Sequence, residues 1–287
     1  MRPVRSCPVC AGTELLPFAM DPVRPRQLHL AQARCRGCGL VMAQPQATAD
    51  ELGVYYATQY YEDHPLDAES HWQENVRDYP LYELPLMERL WAGFAPGRGA
   101  RVAEIGCGHG SLLSLMKERG HAVRGVELSP SAVAFCRGKG LDVSVGQDFG
   151  EERDVADVTA SLQVIEHVTD PRAFVRHLVA LTRPGGVVVI TTESIWTAQY
   201  TLARAVALLR GKPGPYRSSS EHTFVFQGEH LCRLLREEGC SEARSAAYRR
   251  APAQGSLHFR LYREALRAVD KALGGGEYLM AVGRKAG

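Results

Sequence analysis

Two pairs of cysteines open the chain, Cys7-Pro8-Val9-Cys10 and Cys35-Arg36-Gly37-Cys38. A C-x₂-C knuckle bends so that both sulfurs face one point, and two knuckles supply the four thiolates of a tetrahedral zinc site. Two disulfides or a redox C-x-x-C are the competing uses. No export-type apolar stretch starts the chain and no thioredoxin-like unit surrounds either pair, so zinc is the expectation. With every position filled by sulfur, Zn2+ there would be structural. A second group is Glu104-Ile105-Gly106-Cys107-Gly108-His109-Gly110, an acid followed by three alternate glycines. Such a turn lets a ligand lie against bare backbone, and a helix opening after it aims its free N–H groups at that ligand. The third group is a pair of histidines, His167 and His222, whose imidazoles suit proton transfer near neutral pH.

The surrounding pattern says what holds these residues. A short buried strand precedes the glycines, and an apolar helical segment, 111–119, follows them. Residues 121–128 read as a second strand ending in Glu127 and Leu128; a carboxylate at such an edge can accept hydrogen bonds from a ribose diol. Ser129-Pro130 starts the next helix, a side-chain cap followed by proline at the first helical position. A third strand (142–146) leads to Asp148 and Phe149, and a fourth (157–168) carries Gln163, Glu166 and His167. Asp170-Pro171 caps another helix, and residues 187–192 form a fifth strand. Alternating strand and helix with right-handed crossovers give a parallel sheet with helices on both faces. Ligands bind such sheets at the C-terminal strand edges, where Gly106, Gly108, Gly110, Glu127, Asp148 and Gln163 all fall.

The dinucleotide fingerprint is G-x-G-x-x-G. The spacing here, EIGCGHG, instead resembles motif I of the class I S-adenosylmethionine-dependent methyltransferases. That resemblance implies an α/β, Rossmann-like seven-stranded sheet, its last hairpin antiparallel, plus the small N-terminal zinc module. It implies S-adenosyl-L-methionine as cofactor: Glu104 and the glycines of the turn against it, Glu127 and Leu128 at the ribose, Asp148 at the adenine amine, Phe149 giving a backbone N–H or a face, and Gln163 under the methionine end. The run Leu40-Val41-Met42-Ala43-Gln44-Pro45 and the tyrosines Tyr55, Tyr56, Tyr60 and Tyr61 resemble bacterial zinc-ribbon methyltransferases of natural-product and sugar or glycan biosynthesis. Tyr60 and Tyr61 would either contact the methionine end or pack the zinc module on the large domain. The quinone O-methyltransferases carry Glu-x-x-Glu-His with a divalent metal at the fourth strand; here Gln163 stands in place of the first acid, so metal assistance stays open but is not favoured.

The expected division is a zinc-ribbon-like module at 1–47, a helical lid or linker at 48–95 broken by Pro65, Pro80 and Pro85, and a methyltransferase domain at 96–287. An insertion at 195–222 would cap the acceptor. The 287 residues carry a net charge of +2 and are 45% hydrophobic, ordinary globular composition. Four scattered cysteines (Cys107, Cys136, Cys232, Cys240) read as reduced thiols, which points to the cytoplasm. No membrane partner is expected. The competing reading is a zinc-containing RNA methyltransferase. Arginines do cluster late (Arg244, Arg249, Arg250, Arg260, Arg263, Arg267), but a near-neutral chain lacks the basic stripe of an RNA binder. The expected reaction is O-methylation of a small-molecule acceptor, with His167 or His222 as base; the oligomeric state is open.

Overall fold

The structure, a computed structural model, describes residues 2–18, 32–58, 67–91, 97–211, 222–250 and 256–287. Tyr60 and Tyr61 lie outside the described residues, as does much of the second half of the 195–222 insertion. The chain begins with strands β1 (Leu15–Phe18), β2 (Gln32–Cys35) and β3 (Val41–Ala43), then helices α1 (Ala49–Thr58), α2 (Ala68–Asp78) and α3 (Glu83–Leu90). Strand and helix then alternate: β4 (Arg101–Ile105), α4 (Ser111–Glu118), β5 (Ala122–Glu127), α5 (Pro130–Gly138), β6 (Val143–Val145), β7 (Ala156–Leu162), α6 (Pro171–Leu181) and β8 (Thr182–Glu193). The chain closes with α7 (Ala198–Leu209), β9 (Phe224–Val225), α8 (Gly228–Glu237), β10 (Cys240–Tyr248), α9 (Leu257–Leu273) and β11 (Tyr278–Lys285).

Seven strands form one sheet in the order β10-β11-β8-β7-β4-β5-β6. Its five central and β6-side strands are parallel, and β11 runs antiparallel between β8 and β10. The core strands read as unbroken apolar runs because helices cover both faces; Val187, Val188, Val189 and Ile190 of β8 are all buried. The expected caps are present. Ser129 Oγ accepts from Ala132 N at the start of α5, and Asp170 Oδ1 accepts from Arg172 N and Ala173 N at the start of α6. Pro85 does not break the chain as expected. It sits in the first turn of α3, where a helix has no N–H to lose.

A second, antiparallel sheet has the order β1-β2-β3-β9. Its last strand comes from far along the chain: Val41 pairs with Val225 and Met42 with Phe224. The cysteine segment therefore does not stand alone. Cys7, Val9, Cys35, Leu40 and Met42 share one apolar cluster with Leu178, Ile190, Phe224 and Leu231. Two polar grips fix the knuckles to the sheet domain. Arg172 donates to the carbonyls of Pro8 (3.3 Å) and Val9 (3.0 Å). His230 Nδ1 accepts from Gln227 N, so its Nε2 carries the proton and donates to Cys38 O at 2.9 Å. No described helix is long and apolar enough to cross a membrane.

Candidate functional site

The C-terminal edges of β4, β5, β6, β7 and β8 open into one cavity of about 820 Å³. Gly106, Gly108, Glu104, Glu127 and Leu128 line its centre, Gly146, Gln147 and Asp148 one end, and His167, Glu193, His222 and Tyr278 the other. Of the residues expected from the sequence, Gly110 and Phe149 do not line it. Gly110 (φ 72°) is the N-cap of α4 and packs against Leu141 and Cys136. The Phe149 ring lies under the Arg124 guanidinium, 4.5 Å from its centroid.

Glu127 is locked before any ligand arrives. Its two carboxylate oxygens accept from Gly108 N and Ser129 N, each at 3.0 Å, which leaves lone pairs facing the cavity. Glu104 is the opposite case. It is 3% exposed, and Oε2 has no hydrogen-bond partner among the described residues. Burial, then the nearby Cys136 and Glu127, raise its carboxyl well above the usual range. An uncompensated acid in a cavity wall favours a cationic ligand group beside it. Gln163 holds a left-handed φ of 59°, and its side-chain amide donates to Thr191 Oγ1 at 3.0 Å. Strain of that kind at a non-glycine residue collects at functional sites.

At the other end, the His167 and His222 rings meet edge to face, centroids 4.8 Å apart. Glu193 Oε2 lies 3.8 Å from His222 Nδ1. Glu166 is buried beneath them, close to Thr192 Oγ1 without a well-formed hydrogen bond. Burial pushes its carboxyl up to about 8. Ligand atoms of Glu166, His167 and His222 lie within 4.8 Å of one another, close enough to share an ion. The four sulfurs of Cys7, Cys10, Cys35 and Cys38 also lie within 4.8 Å of one another, with Cys7–Cys38 at 3.5 Å and Cys10–Cys35 at 3.4 Å. Tetrahedral zinc with sulfur at about 2.3 Å spaces its ligands about 3.8 Å apart, so the donor set fits.

Several wall residues escaped the sequence reading. His71, Asn75 and Tyr79 reach the cavity from α2 and the turn after it, and Arg250 and Tyr278 from the final hairpin. His71 Nδ1 meets His109 Nδ1 at 3.1 Å, and Asn75 Nδ2 meets His71 Nε2 at 3.2 Å, so α2 is tied onto the glycine turn. Burial, reinforced by His71, lowers His109 to about 4. Arg250 binds Glu83 at 2.6 Å and lies 5.1 Å from the ring centroids of both Tyr79 and Tyr278. Arg249 and Arg263 are likewise paired, with Asp270 and Glu277. Half of the late arginine cluster is thus consumed inside the fold.

Comparison with known proteins follows the same lines. The methyltransferase-domain family matches residues 74–242. A protein of Ralstonia nicotianae named ubiquinone biosynthesis O-methyltransferase is 32% identical over 142 residues, 46% of this chain and 60% of that protein. One of the same name from Thiobacillus denitrificans is 30% identical over 58% of this chain and 76% of that protein. The chain thus spans about three fifths of the Ralstonia protein's length. A crystal structure of a SAM dependent methyltransferase from Archaeoglobus fulgidus superposes with a TM-score of 0.51 at 17% identity, over 79% of this chain and 98% of that one, and shows the shared fold. With more than half of its length matched and the strand order and glycine turn in place, the chain belongs to the methyltransferase-domain family.

Proposed function

We propose that the chain transfers a methyl group from S-adenosylmethionine to an oxygen of a small-molecule acceptor, with His222 as the base and His167 at its side. One observation carries this reading. The groups suited to a nucleoside (the glycine turn and Glu127 at the centre, Asp148 at one end) and the histidine pair at the other end line a single cavity. When bound, the cofactor supplies a methyl already activated on a sulfonium. The chain's residues bind, align and deprotonate. Glu127 offers its free lone pairs to the ribose diol, Asp148 accepts from the adenine amine, and Glu104 sits where the amino-acid end brings positive charge. Alignment of acceptor oxygen, methyl carbon and sulfur is the largest part of the rate gain. His222, with Glu193 beside it, takes the acceptor proton as the oxygen attacks.

The curated relatives' names concern ubiquinone biosynthesis, so catechols and hydroxybenzoates form the first acceptor panel; natural-product and sugar acceptors form the second. The test is methyl-tritiated S-adenosylmethionine with each panel, using the intact chain and His222→Ala. Binding of S-adenosylhomocysteine with no turnover on any acceptor would sink the reaction, and absence of binding would sink the cofactor. A second reading has a specific support: the Glu166, His167 and His222 group would hold a divalent cation that lowers the acceptor's pKa. Loss of turnover on chelation, restored by Mg2+ but not by zinc, selects it. We also assign one structural zinc to Cys7, Cys10, Cys35 and Cys38, and retain the three-part division at residues 47 and 95.

A further inference from the structure

Fourteen large apolar side chains are exposed among the described residues, and ten of them fall on two neighbouring helices, α7 and α9. That concentration is not the scatter of single apolar residues found on any surface. On α7, Leu202, Val206 and Leu209 recur at i, i+4, i+7, and Leu209 is 88% exposed. On α9, Leu257, Leu261, Tyr262, Val269 and Leu273 point outward.

The helix α9 is turned inside out. The residues it presents to the fold are Arg263, Leu266 and Asp270, spaced i, i+3, i+7, and only Asp270 is fully buried. Asp270 accepts from Arg249 Nε and Ala198 N, each at 2.6 Å; Arg263 binds both oxygens of Glu277 at 2.7 Å. Charge fastens the helix to the domain, and its apolar side is left to the outside. A soluble helix normally does the reverse.

The charges on the outer side decide what covers it. Arg210, Arg260, Arg267 and Lys271 are exposed, against one exposed acid, Glu264. Arg260, Glu264, Arg267 and Lys271 form one row beside the apolar stripe, at i, i+4, i+7, i+11. Apolar residues bordered by cations on a helix lying flat are the chemistry of an interface with an anionic bilayer. The patch also flanks the cavity. The strand β8 ends at Glu193 just before α7, and β11 starts at Tyr278 just after α9; both residues line the cavity. A +2 net charge spreads this local excess over the whole chain and hides it.

We propose that the α7–α9 face rests on the surface of an anionic lipid bilayer, inserting Leu202, Leu209, Leu261 and their neighbours to interfacial depth with the cavity mouth at the lipid edge. The test is co-sedimentation of the full chain with phosphatidylglycerol–phosphatidylcholine vesicles and with pure phosphatidylcholine vesicles. Two variants accompany it, Arg260→Glu with Arg267→Glu, and Leu209→Ser with Leu261→Ser. All four positions are exposed, and unchanged S-adenosylhomocysteine binding will show that each variant is folded. The charged vesicles should retain the intact chain, and neutral ones should not. Each basic residue near such a surface contributes about fivefold, so the double charge reversal should weaken retention roughly 25-fold or more. The serine pair should lose retention at every lipid charge. No retention, or equal retention by neutral vesicles, would overturn the proposal. A dimer in light scattering that both variants dissociate, without vesicle binding, would overturn it in favour of a second copy of the chain.

Discussion

Gly108 and Gly110 stand two residues apart in the same turn and share a left-handed backbone, φ 52° and 72°, yet the structure gives them different work. A Cβ at Gly110 would come within 2.5 Å of Leu141 Cδ1 and 3.0 Å of Cys136 Sγ. A Cβ at Gly108 would meet nothing within 4 Å and would point into the open cavity. Left-handed backbone costs an alanine roughly 1–2 kcal/mol at either position. Gly110→Ala adds overpacking of about 1–3 kcal/mol, for a total near 2–5 kcal/mol. At about 2–4 °C per kcal/mol for a chain of this size, Gly110→Ala should lower Tm by roughly 4–20 °C and Gly108→Ala by roughly 2–8 °C. Affinity should order the other way. Gly108→Ala adds a methyl to the cavity wall where we propose that the cofactor binds and should weaken S-adenosylhomocysteine at least about tenfold, whereas folded Gly110→Ala should bind within about threefold of the intact chain. Differential scanning fluorimetry and calorimetry read the two quantities separately. Equal Tm losses, or a larger affinity loss in Gly110→Ala, would refute this assignment of the turn.

Metal analysis should find about one zinc per chain; Cys10→Ser should abolish it and lower Tm, because four thiolates are needed to close the site. Acid should weaken the fold through His109. Its folded value of about 4 lies below the usual 6.5, so the stability it contributes is full above pH 6.5 and is lost as pH falls toward 4. That loss is up to about 3 kcal/mol, and His109→Asn should flatten the dependence of Tm on pH across this window. Glu193→Gln should reduce kcat roughly threefold to tenfold, move the acid limb of the pH–rate profile to lower pH, and leave the KM for S-adenosylmethionine unchanged, as removal of a half-exposed charge beside His222 requires. An unmoved limb would remove Glu193 from the proton transfer.

The parts of the molecule legible in the sequence were those whose signals are local. EIGCGHG, Glu127 with its capped helix, and Asp170-Pro171 each specify a turn or helix start within about ten residues, and all appear where the pattern puts them. What the sequence withheld depends on long-range pairing. Arg250 and Tyr278 reach the cavity only because β11 pairs antiparallel with β8 and brings β10 beside it; the resemblance implies that hairpin, but nothing near either residue says that its side chain turns into the cavity. The outward side of α9 was hidden for a different reason. An apolar period can mark a helix, but it cannot say which side meets the core when ion pairs hold the other side. The roll of β9 was unreadable because two residues carry no periodicity at all.

Those two residues have a consequence for control of the reaction. Thr223 joins the imidazole at 222 to the strand at 224, and its N–H, like that of Phe224, donates to Glu166 O, while Ala43 N donates to Thr223 O. The proposed proton acceptor, His222, is therefore hung between the main sheet and the cysteine head. If the head loosens, through loss of the proposed zinc or oxidation of a knuckle, the segment at 222–224 loses its hydrogen bonds to β3 while the glycine-turn crevice, built from other strands, keeps its shape. Metal supply would then throttle turnover before it touched cofactor retention, making the small ribbon a tuning peg for the chemistry and not merely a prop for the fold.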